Sequence, residues 1–158
     1  MLSREIATQM FVCRDNVPML VHDRLYIGSI GAAYNLESLQ SNLITHILCV
    51  GCNIDNKYPS HFVYKTISLR DKPCEDISSH FFACFEFIQM SLQENMQHRV
   101  LVHCFQGKSR SVTVVAGYLM MHHGYSFEDA LDTIRKVRPC AQPNLGFAMQ
   151  LRKLAKNI

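Results

Sequence analysis

An α/β fold, with a mixed and largely parallel sheet of four or five strands flanked by helices, follows from two features of this sequence. Short apolar runs alternate with longer segments whose apolar residues recur every three or four positions, the alternation that builds parallel sheets. One run, Val100-Leu101-Val102 leading into His103, is continuously apolar, as expected of a strand covered on both faces.

Taken in order, Leu25-Tyr26-Ile27-Gly28 reads as a short strand ending in a glycine turn. Asn35 can cap a short helix carrying Leu36, Leu39 and Leu43 at helical spacing. His46-Ile47-Leu48-Cys49-Val50 predicts a buried strand stopped by Gly51, and 62–69 predicts another. A long helix then opens at Ser78 or Ser79. Its Phe81, Phe85, Ile88 and Leu92 form one apolar stripe. After the strand at Val100, helices are expected over 111–122, with Gly124 as its C-cap, and from Ser126 to the Arg138-Pro139 stop. Ser126 and Asp129 make a capping arrangement there, and the last helix spans 144–156.

The 158 residues fit one domain, and 48% hydrophobic with 18% charged residues describes a folded globular chain. A net charge of +3 admits an anionic ligand but is not the dense basic stripe of a nucleic-acid binder, so none is expected as partner. No apolar run nears the roughly 18 residues of a membrane span. The first ten residues do not resemble a secretory signal, and Leu2 offers no myristoylation glycine. Seven irregularly spaced cysteines suit free thiols in a reducing compartment better than a disulfide framework.

The informative segment is His103-Cys104-Phe105-Gln106-Gly107-Lys108-Ser109-Arg110-Ser111. It places a cysteine at the carboxyl end of a buried strand and ahead of a helix, where α/β sheets bind ligands and helix amides favour anions. A tight loop over 105–110, with Gly107 free to take positive φ, can turn its N–H groups inward as an anion nest. Such a nest favours Cys104 as a thiolate. Arg110 adds a planar fork matched to two phosphate oxygens. The loop residues Phe105, Gln106, Gly107, Lys108, Ser109 and Arg110 thus become the substrate-binding candidates, and transfer of a phosphoryl group to Cys104 the natural reaction.

Competing readings fail on geometry. Gly107-Lys108-Ser109 mimics the end of a nucleotide-binding loop, but Val102 stands where that motif needs glycine. His103 and Cys104, as strand neighbours, point to opposite faces and make no protease dyad. Cys49 and Cys52 form a lone Cys-x-x-Cys without a second pair, so no metal is expected.

The pattern His-Cys-x-x-Gly-x-x-Arg-Ser resembles the signature of the dual-specificity protein phosphatases, a branch of the cysteine-based protein tyrosine phosphatase superfamily. The segments Leu25-Tyr26-Ile27-Gly28-Ser29, Thr45-His46-Ile47-Leu48, Ala116-Gly117-Tyr118-Leu119-Met120 and Pro143-Asn144-Leu145-Gly146-Phe147 are similar to family segments in the same order. The likeness covers 23–154 and suggests an atypical, small single-domain type, with 1–22 as an N-terminal extension and 23–158 as the catalytic domain. It implies a protein tyrosine phosphatase-like fold and hydrolysis of phosphotyrosine and phosphoserine or phosphothreonine through a phosphocysteine intermediate.

The resemblance also implies roles. Cys104 is the nucleophile, Arg110 the clamp, and Ser111 the hydroxyl that helps the thiolate leave. The family's acid comes from a loop about thirty residues upstream, and Asp71 lies 33 positions before Cys104, after a strand. Asp76 is the runner-up, with helix capping as its ordinary role. His103 braces the loop, and Asn144 either supports the loop or caps the last helix. No cofactor is implied. Lys108 departs from the common apolar residue and resembles the inositol-lipid branch, but that branch carries a basic residue where Phe105 stands. A phosphorylated protein is therefore the expected partner and a phosphoinositide the alternative, with a scaffold that does not turn over a third reading. Nothing implies a domain that docks mitogen-activated kinases. The cytoplasm is the expected location, with the nucleus open to it. Cys49 is expected to pack as a buried thiol, with a disulfide to Cys104 on oxidation as the alternative.

Overall fold

The computed structural model describes residues 15–158. Strands β1 (Met19–His22), β2 (Leu25–Gly28), β3 (His46–Val50), β4 (Val63–Ile67) and β5 (Val100–His103) form one sheet in the order β1-β2-β5-β3-β4. β2, β5, β3 and β4 run parallel, and β1 joins the edge antiparallel to β2, so the sheet is mixed and largely parallel. β1 is absent from the sequence reading because its Met19-Leu20-Val21-His22 run has no alternation, being only partly buried. A two-residue turn joins it to β2, and Asp23 takes φ 44° there. The sheet thus takes in residues ahead of position 23.

Side chains that alternate along each strand divide the core in two. Leu48, Val50, Val100 and Val102 face the larger side, where they meet Phe85, Ile88, Val115, Leu119 and Ile134. Ile47 and Leu101 face the other side and pack against Ala33, Leu39 and Phe62. The smaller layer is built by α1 (Ile30–Ala33) and α2 (Leu36–Ser41), the larger by α3 (Phe81–Glu94), α4 (Arg110–His123), α5 (Phe127–Val137) and α6 (Leu145–Ala155).

Local signals mostly place the helix ends. Asn35 accepts from the Ser38 amide at the start of α2. Gly124 closes α4 with φ 69°. Ser126 accepts from the Asp129 amide and donates to its carboxylate at the start of α5. Two readings need adjustment. Leu43 lies past the end of α2, takes φ 56° and is exposed, so it is no part of that helix's buried stripe. α3 begins at Phe81 behind a 3₁₀ turn at Ser78–His80, because Asp76 caps the earlier turn by accepting from Ser78 Oγ and the Ser79 amide. The stripe of Phe81, Phe85, Ile88 and Leu92 is buried.

Candidate active site

Cys104 follows the last residue of β5, and the chain turns through 105–109 into α4, whose first residue is Arg110. Cys104 is 2% exposed. Its Sγ lies 3.2 Å from Ser111 Oγ and accepts the Gly107 amide at 3.2 Å. The sulfur thus has a hydroxyl and a backbone N–H within hydrogen-bond reach.

The loop's conformation is fixed from outside. His103 Nδ1 donates to the Cys104 carbonyl and the Ile30 amide to that of Phe105. Arg138 donates through Nη2 to the Gln106 carbonyl at 2.8 Å and through Nε to that of Gly107. The Gln142 amide donates to the Lys108 carbonyl at 2.8 Å, and Thr113 donates to that of Ser109 through both its amide and its hydroxyl. Every carbonyl from Cys104 to Ser109 is therefore held outward. The described residues contain no cis peptide bonds. In a trans peptide the N–H points opposite to the preceding C=O, so the amides of 105–110 turn to the inside of the loop. This is the anion nest in structural form. Gly107 makes it possible, with φ 64°, and a Cβ there would sit 2.6 Å from the Gly28 carbonyl oxygen.

Arg110 reaches across the mouth of the loop. Its Nη1 donates to the Leu69 carbonyl at 2.9 Å, while its Nε is buried and has no hydrogen-bond partner among the described residues. A buried guanidinium N–H left unpaired at an anion nest is a donor kept for a ligand.

Asp71 lies just beyond Leu69 and is exposed. Asn144 Nδ2 donates to its Oδ1 at 2.8 Å. The same Asn144 accepts the Phe147 amide, capping α6, and its own amide donates to Ser109 Oγ at 2.9 Å. One residue thus joins the aspartate loop, the helix and the cysteine loop, although its side chain reaches Asp71 and not the loop backbone. Gly146 allows this approach, since a Cβ there would lie 1.9 Å from the Pro73 carbonyl oxygen.

His103 is 1% exposed, and burial pushes its imidazole down to about 4, so it is neutral near pH 7 and braces the loop as an N–H donor. Among the remaining loop residues Phe105 is half-buried, Ser109 buried, and Gln106 and Lys108 exposed at the rim. Cys49 lies beside His103 across the β3–β5 pair; burial, with nearby Cys104 adding to it, pushes its thiol up to about 12. It is a packed thiol near pH 7.

Arg138 and Asp15 escaped the sequence reading. Arg138 is 3% exposed and pairs with the Asp15 carboxylate, whose backbone carbonyl accepts from Ser29 Oγ. An arginine at a helix end ahead of proline has an ordinary local explanation, and nothing local announces a partner 31 residues upstream.

Comparison with known proteins agrees with this geometry. The profile of the dual specificity phosphatase catalytic domain matches residues 25–157. Dual specificity protein phosphatase 1 of Arabidopsis thaliana is 43% identical over 144 residues, covering 91% of this chain and 72% of its own. Dual specificity protein phosphatase 1B of the same plant is 42% identical over 138 residues, covering 87% and 81%. The crystal structure of human tyrosine phosphatase-like serine/threonine/tyrosine-interacting protein superposes with a TM-score of 0.84 at 33% identity, covering 90% of this chain and 97% of that one. By sequence, fold and loop, the chain belongs to the dual specificity phosphatase catalytic-domain family.

Proposed function

We propose that this member of a cysteine-based phosphatase family hydrolyses phosphotyrosine and phosphoserine or phosphothreonine in proteins, with Cys104 as nucleophile and Asp71 as acid and base. The observation that carries the assignment is the outward anchoring of every carbonyl from Cys104 to Ser109, with Cys104 Sγ at the floor and the unpaired Arg110 Nε at the wall. A phosphate placed there meets inward amides and a guanidinium fork.

The thiolate attacks phosphorus, forming the P–S bond as the P–O bond to the leaving group breaks, and Asp71 gives that oxygen its proton. Water then attacks the phosphocysteine, Asp71 takes the water's proton, and the P–S bond breaks to return the thiolate. Ser111 Oγ, beside the sulfur, donates to the departing thiolate. His103 stays neutral throughout and holds the Cys104 carbonyl.

Protein substrates are favoured over inositol lipids. Lys108 is the loop's one added cation, and the half-buried Phe105 occupies the neighbouring position. The two Arabidopsis relatives are both named protein phosphatases. Six described cysteines are free thiols, which suits a reducing compartment such as the cytoplasm, and no helix among the described residues is long and apolar enough to cross a membrane.

The test is phosphate release from an aryl phosphate in EDTA and reductant, wild type against Cys104→Ser. Turnover that survives EDTA and disappears in Cys104→Ser is expected. Activity retained by Cys104→Ser would remove the cysteine mechanism, and an inactive wild type, on phosphopeptides as well, would leave the scaffold reading. Lys108→Ala is expected to leave phosphopeptide turnover nearly unchanged.

A further inference from the structure

At the end of the sheet opposite Cys104, three residues that no step of the phosphatase reaction uses come together. His46 opens β3, Glu94 closes α3, and His98 lies in the connection to β5. One potential ligand atom from each falls within 4.8 Å of the others. The two imidazole centroids are 4.6 Å apart, and Glu94 Oε2 is 3.7 Å from His98 Nδ1.

Both rings are held through Nδ1. His46 Nδ1 lies 2.8 Å from Thr45 Oγ1, which accepts the Arg99 amide and also reaches the Arg99 carbonyl. His98 Nδ1 faces the Ser91 carbonyl at 3.0 Å, and a carbonyl cannot donate, so His98 carries its proton on Nδ1 and a lone pair on Nε2. Metal-bound histidines are held in this way, one ring nitrogen donating to protein oxygen and the other presented to the ion. His46 is only 6% exposed.

We propose that His46, Glu94 and His98 bind a divalent transition metal of the zinc class, staple the end of α3 to the start of β3, and leave catalysis to the distant loop. Two neutral imidazoles and one carboxylate suit zinc better than magnesium or calcium, which prefer all-oxygen sites. Donor atoms around one tetrahedral zinc ion lie roughly 3.3–3.6 Å apart, so binding draws the three side chains together. Glu94, whose side chain is 71% exposed, is the ligand with most room to move. Val100, opposite His46, precedes Cys104 by four residues along β5, about 13 Å at roughly 3.3 Å per residue. The ion therefore stabilises without touching the reacting atoms.

The experiment is zinc titration of the full-length protein by calorimetry and metal analysis after desalting, with thermal unfolding alongside. Wild type is compared with His98→Ala and with Glu94→Gln, an exposed position where misfolding is not at issue. All three keep the same cysteines, so thiol-bound zinc cancels. Wild type is expected to retain one more equivalent than His98→Ala and to gain thermal stability with zinc that His98→Ala does not. Glu94→Gln should weaken that equivalent by about 10-fold or more. Equal stoichiometry and equal stabilisation across the three proteins, or no zinc uptake by wild type, would overturn the proposal.

Discussion

At the scale of single residues, the division of labour rests on where each polar atom is already spent. Arg110 has committed Nη1 to Leu69 and kept Nε unpaired, while Asp71 has one carboxylate oxygen on Asn144 and is otherwise open. An aspartate used this way matters when the leaving oxygen is a poor one. Asp71→Asn keeps the contact geometry and removes the proton, so kcat should fall by roughly 10²–10⁴ on phosphoserine peptides. The fall should be much smaller on an aryl phosphate that departs unaided. Paired turnover assays on the two substrates check this, and equal losses would take the acid role from Asp71. Asn144→Ala should give a smaller loss with the same substrate bias, because it frees the acid without removing it. Cys104, Arg110 and Ser111 were legible in the sequence because they lie within eight positions of one another. The link from Asp71 through Asn144 to Ser109 was not, since it joins residues up to 73 positions apart.

At the scale of elements, local signals were good guides wherever a cap or a buried run existed and poor ones elsewhere. The Asn35, Ser126 and Asn144 caps and the stripe of α3 follow from spacing alone. β1 did not, because a half-buried edge strand owes its existence to the neighbour it pairs with. Asp76, the runner-up for the acid, caps the 3₁₀ turn by accepting from Ser78 and Ser79, the ordinary role its place before a helix suggested. The most exacting contact between elements is the seat of α6 on the Asp71 loop at Gly146. A Cβ there meets the Pro73 carbonyl oxygen at 1.9 Å, a backbone atom that cannot rotate away. Gly146→Ala must therefore push the loop off the helix and carry Asp71 from Asn144. Its signature should be that of a displaced acid, with kcat on phosphoserine peptides falling further than kcat on an aryl phosphate. Steady-state assays at a temperature where the variant is fully folded check this, and a uniform loss would mean that the cysteine loop moved instead.

At the scale of the whole molecule, the active loop is a meeting point of distant parts of the chain. The Ile30 amide comes from the smaller layer, Arg138 from the end of α5, Gln142 from the segment before α6, and Asp15 from ahead of β1. Arg138 is central, since one buried guanidinium holds two loop carbonyls and is itself held by Asp15. No local pattern could reveal this, because the fold alone brings the three segments together. Replacing Arg138 by methionine fills similar space but strands two carbonyls and a carboxylate, at a cost of roughly 2–5 kcal/mol in unfolding free energy. If Arg138 did no more than stabilise, the folded fraction of Arg138→Met would work normally. As a positioning residue it should instead slow every folded molecule, because carbonyls released on the outside let the amides drift from the phosphate. The expected result is a kcat lowered about 10-fold or more on both aryl phosphate and phosphopeptide, with inorganic phosphate becoming a weaker competitive inhibitor. Arg138→Lys, which keeps the charge and part of the donor set, should recover some of both quantities, and Asp15→Asn should lose less than either. Calorimetry in parallel separates the two effects: a destabilised Arg138→Met with normal kcat and normal phosphate inhibition would make Arg138 a structural residue and leave positioning to the backbone donors alone.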